Sequence, residues 1–364
     1  MSVESLRALL RPELDELSAY CVSSAPPAVK LDANESPWPL PPEAEARIAA
    51  ALHTIEFNRY PDGRATRLRE ALARGLGGSS DEYVLGAGSD ELISLLATAM
   101  ARPRAGAARP VVVFPEPTFV MYRLTSRAHG WEPVGVALDD RWDLDAERMA
   151  ATLERAKPNL VYYASPNNPT GNCFSRGKIE HLIESFPDTL HVIDEAYGAY
   201  SEQSFATWCE QHPQCALIGT LSKIGFAGIR VGWLRLHETL SAEIEKVRQP
   251  FNVNSISQAI ATLALTDLAP VLEEHITTIV AERERLRGAL DRHEGLRCFP
   301  SDANFLLIEY AGDAAELCEA LLHREIAVRM FPRGDARLQR CIRITIGTPE
   351  ENQRLLEALG DILG

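Results

Sequence analysis

Positive charge is in short supply: 37 lysines and arginines stand against 51 aspartates and glutamates, a net charge of −14. That balance argues against sequence-independent nucleic-acid binding and against anionic membrane surfaces, which both reward an excess of cations. An anionic ligand would therefore need a local cationic pocket. No apolar run approaches the ~20 residues that a membrane-spanning helix needs. The first stretch, MSVESLRALLRPELDELSAYC, is charged throughout and has neither an apolar core segment nor a cleavage pattern, so the protein is expected in the cytoplasm. Cysteines are few, seven scattered along 364 residues, and are expected as reduced thiols, not as a disulfide framework. Cys209, His212 and Cys215 have the spacing of half a zinc site, but no second pair follows at a convincing distance and no metal is expected. The phosphate loop G-x-x-x-x-G-K-[ST] is missing, which removes the nucleotide-hydrolase reading of the apolar strand that ends in Asp194-Glu195. There is no internal repeat and no low-complexity tract.

What the chain does hold is an alternation of short apolar strands and longer helices. The length suits two domains. Val111-Val112-Val113-Phe114, Leu160-Val161-Tyr162-Tyr163, Leu190-His191-Val192-Ile193 and Ala216-Leu217-Ile218 are runs of the buried parallel-strand type. Separated by helical stretches, they predict an open α/β sheet with ligand groups on the loops after the strand C-termini. Pro37, Pro39, Pro41 and Pro42 force an extended path before a helix from Glu43 to His53. A second helix is expected from Ala65 to Arg74, stopping at Gly75. Past Pro250 the pattern changes to helices near 255–265 and 271–293, framed by strands near 304–309 and 341–347. The expected division is an N-terminal arm (1–35), a large α/β domain (36–250) and a smaller C-terminal α+β domain (251–364).

Four strand-end signals recur in order. Tyr83-Val84-Leu85 opens into Gly86-Ala87-Gly88-Ser89-Asp90-Glu91, where Ser89 is the expected N-cap of a helix and the glycines admit a phosphate to its N-terminus. Glu91 stands where a dinucleotide fingerprint needs its third glycine, which weakens a dehydrogenase reading. Asn168 lies in the dense turn Ser165–Gly171, and Asp194 ends its strand with Tyr197 three residues on. Finally, GTLSKIGFAGIRVGW places Ser222 and Lys223 after a buried strand, with Arg230 seven residues further. A lysine there can present a nucleophilic amine for Schiff-base chemistry, and Arg230 with Ser222 suits a phosphate beside it. One cofactor uses every one of these groups: pyridoxal 5′-phosphate (PLP). Asp194 would keep its ring nitrogen protonated, Asn168 and Tyr197 would hold its phenolic oxygen, and Lys223 would join its aldehyde and shuttle the substrate proton.

The motifs LDANESPWP, RYPDG, GAGSDELI, FPEPTFVMY, SPNNPTGN, VIDEAYGAY, TLSKIGFAGIRVGW, ANFLLIE, IAVRMF and IRITIGT span nearly the whole chain. In this order they resemble the fold-type I (aspartate-aminotransferase-like) PLP-dependent aminotransferases, and within them the chain is similar to the histidinol-phosphate aminotransferases. The resemblance implies a large, mostly parallel seven-stranded sheet domain with a smaller α+β domain, and a homodimer in which Tyr60 reaches the neighbouring site. It implies that Gly88, Ser89, Phe119, Asn168, Asp194, Tyr197, Ser222, Lys223 and Arg230 bind the cofactor. Tyr20, Asn34, Arg329 and Arg343 are implied to bind the substrate, the two arginines gripping its phosphate. The implied reaction is amino transfer between L-histidinol phosphate and 2-oxoglutarate, whose reverse serves histidine biosynthesis. Aromatic amino acids and threonine phosphate are the alternative substrates on the same scaffold, and a non-catalytic PLP-binding regulator is a reading from another class. Phe119 stands where many relatives carry tyrosine, so ring stacking survives and a hydroxyl bond does not. The loop from Lys223 to Arg230 is a residue shorter than in some relatives.

Overall fold

A computed structural model describes residue 6, residues 9–11 and residues 27–363. Its strands run, in chain order, β1 (Val29–Lys30), β2 (Tyr83–Gly86), β3 (Val111–Glu116), β4 (Glu132–Ala137), β5 (Leu160–Ala164), β6 (Leu190–Asp194), β7 (Cys215–Thr220), β8 (Gly232–Leu236), β9 (Leu296–Cys298), β10 (Phe305–Tyr310), β11 (Ile326–Ala327), β12 (Arg329–Met330) and β13 (Cys341–Thr345). The large sheet has seven strands in the order β2-β8-β7-β6-β5-β3-β4. All its pairings are parallel except those of β8, which is antiparallel to both β2 and β7.

The apolar runs are continuous because both faces of this sheet are covered. Successive side chains leave a strand on opposite faces. Val113, Val161, Ile193 and Leu217 therefore join one core with Met149 and Leu153 of helix Ala146–Ala156 and Ile179 of helix Arg176–Ser185. Val112, Tyr162, Val192 and Ala216 join another with Leu92 and Leu96 of helix Ser89–Ala99 and with Tyr122 of helix Met121–Ala128. Asp194 belongs to the second row, in register with Ala164 on one side and Ile218 on the other.

A second, antiparallel sheet runs β12-β13-β10-β9 and packs beneath helices Ala269–Leu290, Ala314–Leu322 and Pro349–Leu363. β1 pairs in parallel with β11, and Val29 and Leu31 are buried in the same core as Ile308 and Ile344. No single helix among the described residues is long and apolar enough to cross a membrane.

Some local expectations are corrected. The helix expected to stop at Gly75 runs from Thr66 to Leu76 and ends at Gly77, whose φ of 85° with extended ψ is a conformation that glycine adopts without strain. Pro42 is the first residue of its helix, Pro42–Leu52, a position where the missing N–H costs nothing. Cys209 and Cys215, expected as thiols, are joined in a disulfide, and His212 between them stacks on Trp208 with ring centroids 4.2 Å apart.

Candidate active site

Strand direction gathers the site at one edge of the large sheet. The C-terminal ends of β2, β5, β6 and β7 deliver Gly88, Asn168, Asp194 and Lys223. Because β8 runs the other way, Arg230, just before its start, returns to the same edge. Gly86 and Thr220 both face Gly232 in register, so the turn after β2 and the lysine turn flank Arg230.

Asp194 is only 4% exposed. Its Oδ1 accepts the N–H of Ala196 at 3.0 Å, and its Oδ2 accepts the hydroxyl of Tyr122 at 2.6 Å. Burial pushes this carboxyl upward, against the hydrogen bonds from Tyr122 and Ala196, and Lys223 is close enough to draw it down electrostatically. Tyr122 is itself fully buried, stacked parallel on Tyr162 at 4.5 Å and edge-on to Phe119 at 5.6 Å. Sequence reasoning missed Tyr122. Its one signal is helical spacing, three residues after Phe119, which puts both rings on one side of the turn.

Lys223 sits in a short, irregular turn, Ser222–Phe226, whose kink falls at Ile224 and Gly225. Its Nζ lies 5.7 Å from the centroid of the Tyr197 ring, and its carbonyl accepts the hydroxyl of Tyr200 at 2.6 Å. Ser222 is buried, with its N–H donated to Thr220 Oγ1 at 3.1 Å and the two hydroxyl oxygens 3.0 Å apart. Tyr197 is buried edge-on to Phe305 at 5.1 Å.

The N-cap of helix Ser89–Ala99 is Gly88, not Ser89. Gly88 has φ 88°, and a β-carbon there would stand 2.6 Å from Arg230 Nη2. A β-carbon on Gly232 would stand 2.8 Å from Ser89 N. Glycine is thus required where the turn, the helix N-terminus and the guanidinium meet. No side chain caps this helix at Gly88, which leaves the first-turn N–H groups and Ser89 beside Arg230, a cradle suited to phosphate. Glu91, the residue that spoils a dinucleotide fingerprint, reaches back to the N–H of Ala87 in the manner of a capping box. Asp90 carries a distant contact to Arg230 at 3.6 Å.

Asn168 Oδ1 accepts from Arg343 Nη1 at 2.7 Å, and Arg343 Nη2 donates to the Asp32 carbonyl at 2.6 Å. Arg343 is 8% exposed and lies over the Phe305 ring. Arg329 is exposed and stands directly opposite Arg343 across β12 and β13. Paired residues on antiparallel strands project from the same face, so two guanidinium groups face one way. Asn34 is buried, with its amide against Tyr197 and Thr345. Tyr60 is 82% exposed and stacked on Phe251 at 4.6 Å. Tyr20 lies outside the described residues.

The residues present fit PLP. A carboxylate pushed upward by burial and aimed between strand ends is the partner a pyridinium needs. The Gly88, Ser89 and Arg230 cradle matches a phosphate, and an amine over a buried phenol matches the aldehyde end. The chain belongs to the class I and II aminotransferases, whose family model matches residues 26–359. The protein is a PLP-dependent aminotransferase.

Its relatives narrow this further. It is 41% identical over 351 residues, 96% of this chain and 97% of that protein, to the histidinol-phosphate aminotransferase of Aquifex aeolicus (strain VF5). It is 37% identical over 361 residues, 99% of this chain and 98% of that protein, to histidinol-phosphate aminotransferase 2 of Nitrosococcus oceani. The crystal structure of histidinol-phosphate aminotransferase from Sinorhizobium meliloti, in complex with pyridoxal-5′-phosphate, superposes with a TM-score of 0.85 at 27% identity, covering 97% of each chain. The chain belongs to the histidinol-phosphate aminotransferase family.

Bound PLP supplies an electron sink for the charge left when an amino donor loses its α-proton. The chain's own residues do the rest. With PLP bound, Asp194 would hold a proton at the ring nitrogen, Tyr197 and Asn168 would direct hydrogen bonds at the phenolic oxygen, and Arg230 with the helix N-terminus would hold the phosphate. Lys223, beside Tyr197, would be the base that takes and returns the α-proton.

Proposed function

We propose that this protein transfers the amino group between L-histidinol phosphate and 2-oxoglutarate, giving imidazole acetol phosphate and glutamate, with the reverse direction serving histidine biosynthesis. The observation that carries the substrate is the Arg329–Arg343 pair. Like charges directly opposite one another across a sheet repel, and a phosphate dianion between them offsets that repulsion with charge-assisted hydrogen bonds. The Asn168–Arg343 bond supports a continuous path from the phosphate end of the substrate to the phenolic side of the cofactor.

The proposal includes a homodimer, with Tyr60 reaching the cofactor phosphate of the neighbouring subunit. Its support is an exposed aromatic pair, Tyr60 stacked on Phe251, respectively 82% and 40% exposed. Such surface is costly to leave in water. A cytoplasmic setting belongs to the same reading. The assigned roles of Arg329, Arg343 and Tyr60, and the division into an arm, a large domain and a small domain, belong to this same reading.

The test is spectroscopic. PLP-loaded protein mixed with L-histidinol phosphate should lose the absorption band of the aldehyde form and gain that of the amine form, and 2-oxoglutarate should reverse the change. No spectral change with histidinol phosphate ends the substrate assignment. Comparing kcat/KM for phosphorylated and carboxylated amino donors separates it from an aromatic aminotransferase, and release of carbon dioxide from threonine phosphate would point to decarboxylation instead.

A further inference from the structure

Asn34 is 1% exposed and is gripped from several sides. Its Nδ2 donates to Tyr197 Oη at 2.9 Å, its backbone N–H donates to Thr345 Oγ1 at 2.9 Å, and Asn304 Nδ2 donates to its carbonyl at 3.1 Å. Thr345 Oγ1 also lies 3.1 Å from Asn34 Oδ1. These contacts determine which way round the amide sits. The Thr345 hydroxyl accepts the Asn34 N–H, and the acceptor for its own proton is Asn34 Oδ1. Turning the amide over would aim Nδ2 at Thr345 and leave a buried hydroxyl proton without an acceptor, which is costly. Nδ2 therefore faces Tyr197.

The Tyr197 hydroxyl is thus an acceptor in its bond with Asn34, and it has one proton of its own. Among the described residues no protein group takes that proton. It is left for a ligand in the cleft where Lys223 Nζ lies 5.7 Å from the Tyr197 ring. The left-handed backbone at Asn34, φ 55°, is one that asparagine and aspartate tolerate best after glycine. The charged and titratable groups facing Tyr197 are Lys223, Asp194, Tyr122 and Tyr200, with Arg343 behind Asn168.

We propose that Asn34 is a positioning residue, not a substrate ligand: by donating to Tyr197 Oη it compels Tyr197 to donate toward the phenolic oxygen of bound PLP, and Thr345 pins the amide in the orientation that does so. The proposal rests on the cofactor assignment and is independent of the amino donor, so it stands or falls separately from the histidinol phosphate reading.

The experiment is a pH titration of the visible absorption of PLP-loaded protein with no amino donor added. A hydrogen bond donated to the phenolic oxygen disperses its negative charge and makes the chromophore a weaker base. In Asn34→Asp the new carboxylate can only accept, so Tyr197 turns to donate to it and the chromophore loses its donor. The midpoint should rise by about one pH unit, as it should in Tyr197→Phe, and the double variant should rise no further than Tyr197→Phe alone. Thr345→Val introduces no charge but frees the amide to turn, and should shift the midpoint in the same direction. Stoichiometric PLP binding and borohydride trapping serve as the folding check, and Thr345→Val carries the test if Asn34→Asp does not fold. Unmoved midpoints in both variants would overturn the proposal. So would shifts that simply add in the double variant, because they would trace to the new negative charge and not to the Tyr197 proton. A changed KM for the amino donor with an unmoved midpoint would return Asn34 to substrate binding.

Discussion

Tyr122→Phe removes a single oxygen, and the structure says what should follow. That oxygen donates to Asp194 Oδ2 at 2.6 Å in a site sealed from water. A hydrogen bond to a charged group contributes ~1.5–3 kcal/mol, against ~0.5–1.5 kcal/mol when both partners are neutral. The worth of the bond should therefore depend on whether Asp194 is ionised. Burial raises the folded-state pKa of Asp194 above its unfolded value, so ionising it costs stability, and that cost grows as pH rises from the ordinary carboxylate range through the raised value. Tyr122 offsets part of the cost by favouring the carboxylate. Without the hydroxyl, the folded pKa rises further, so the loss of stability continues to higher pH and is larger in total. In cofactor-free protein the gap between native and Tyr122→Phe unfolding free energies should be under ~1.5 kcal/mol in acid, where Asp194 is protonated, and widen to ~1.5–3 kcal/mol above its raised pKa, where it is ionised. Urea unfolding at a series of pH values measures it. A gap of the same size at every pH would refute the reasoning, because it would assign Tyr122 to packing alone. In the loaded enzyme, a carboxyl that keeps its proton no longer keeps the ring nitrogen protonated. kcat should then fall by roughly 10- to 100-fold, matching ~1.4 kcal/mol per factor of ten, while PLP stays bound.

Other outcomes follow from the same geometry. Lys223→Ala should abolish turnover and leave no borohydride-trapped adduct, whereas survival of activity would remove the amine from the mechanism. Gly88→Ala puts a β-carbon 2.6 Å from Arg230 Nη2 on a backbone with φ 88°, so the guanidinium must move and PLP affinity should drop about tenfold or more for ~1–2 kcal/mol of strain; an unchanged dissociation constant in a fluorescence titration would dismiss the cradle. Glu195 is half-buried, accepts the Phe205 N–H and the Ser204 hydroxyl, and is pushed up to about 7 because desolvation outweighs those hydrogen bonds. Its raised folded pKa means that stability is lost as pH climbs from the carboxylate range through about 7. Glu195→Gln should flatten that decline in Tm, and identical slopes for both proteins would show that Glu195 ionises without penalty.

What the sequence made legible is what one strand and its following loop can express. Asn168, Asp194 and Lys223 each end a continuous apolar run, and parallel strands deliver their ends to one edge. No fold-level knowledge is needed to suspect them. The disulfide partners Cys209 and Cys215 escaped because an odd scatter of cysteines says nothing about which pair meets. Tyr122 escaped for a different reason: it lies inside a helix among core aromatics, where a tyrosine reads as packing until its hydroxyl is seen against a carboxylate 72 residues away. The Asn34 and Thr345 network joins positions 311 residues apart, a separation no local pattern encodes.

The pairing of Arg329 with Arg343 is the instructive middle case. Each was legible as a cation, but the case for them as a proposed anion site comes from register, since a slip of one residue would send one side chain to the other face. The direction of Arg343 is set by the alternation of β13, in which Ile342 and Ile344 enter the core and Arg343 between them is turned toward Asn168. The same alternation that builds the small sheet therefore aims its arginine at the cofactor edge of the large one. On the proposed function, substrate charge would be read by a residue whose direction is fixed by its apolar neighbours, and a substitution such as Ile342→Ser, on the core face of β13, should disturb donor binding by loosening that alternation.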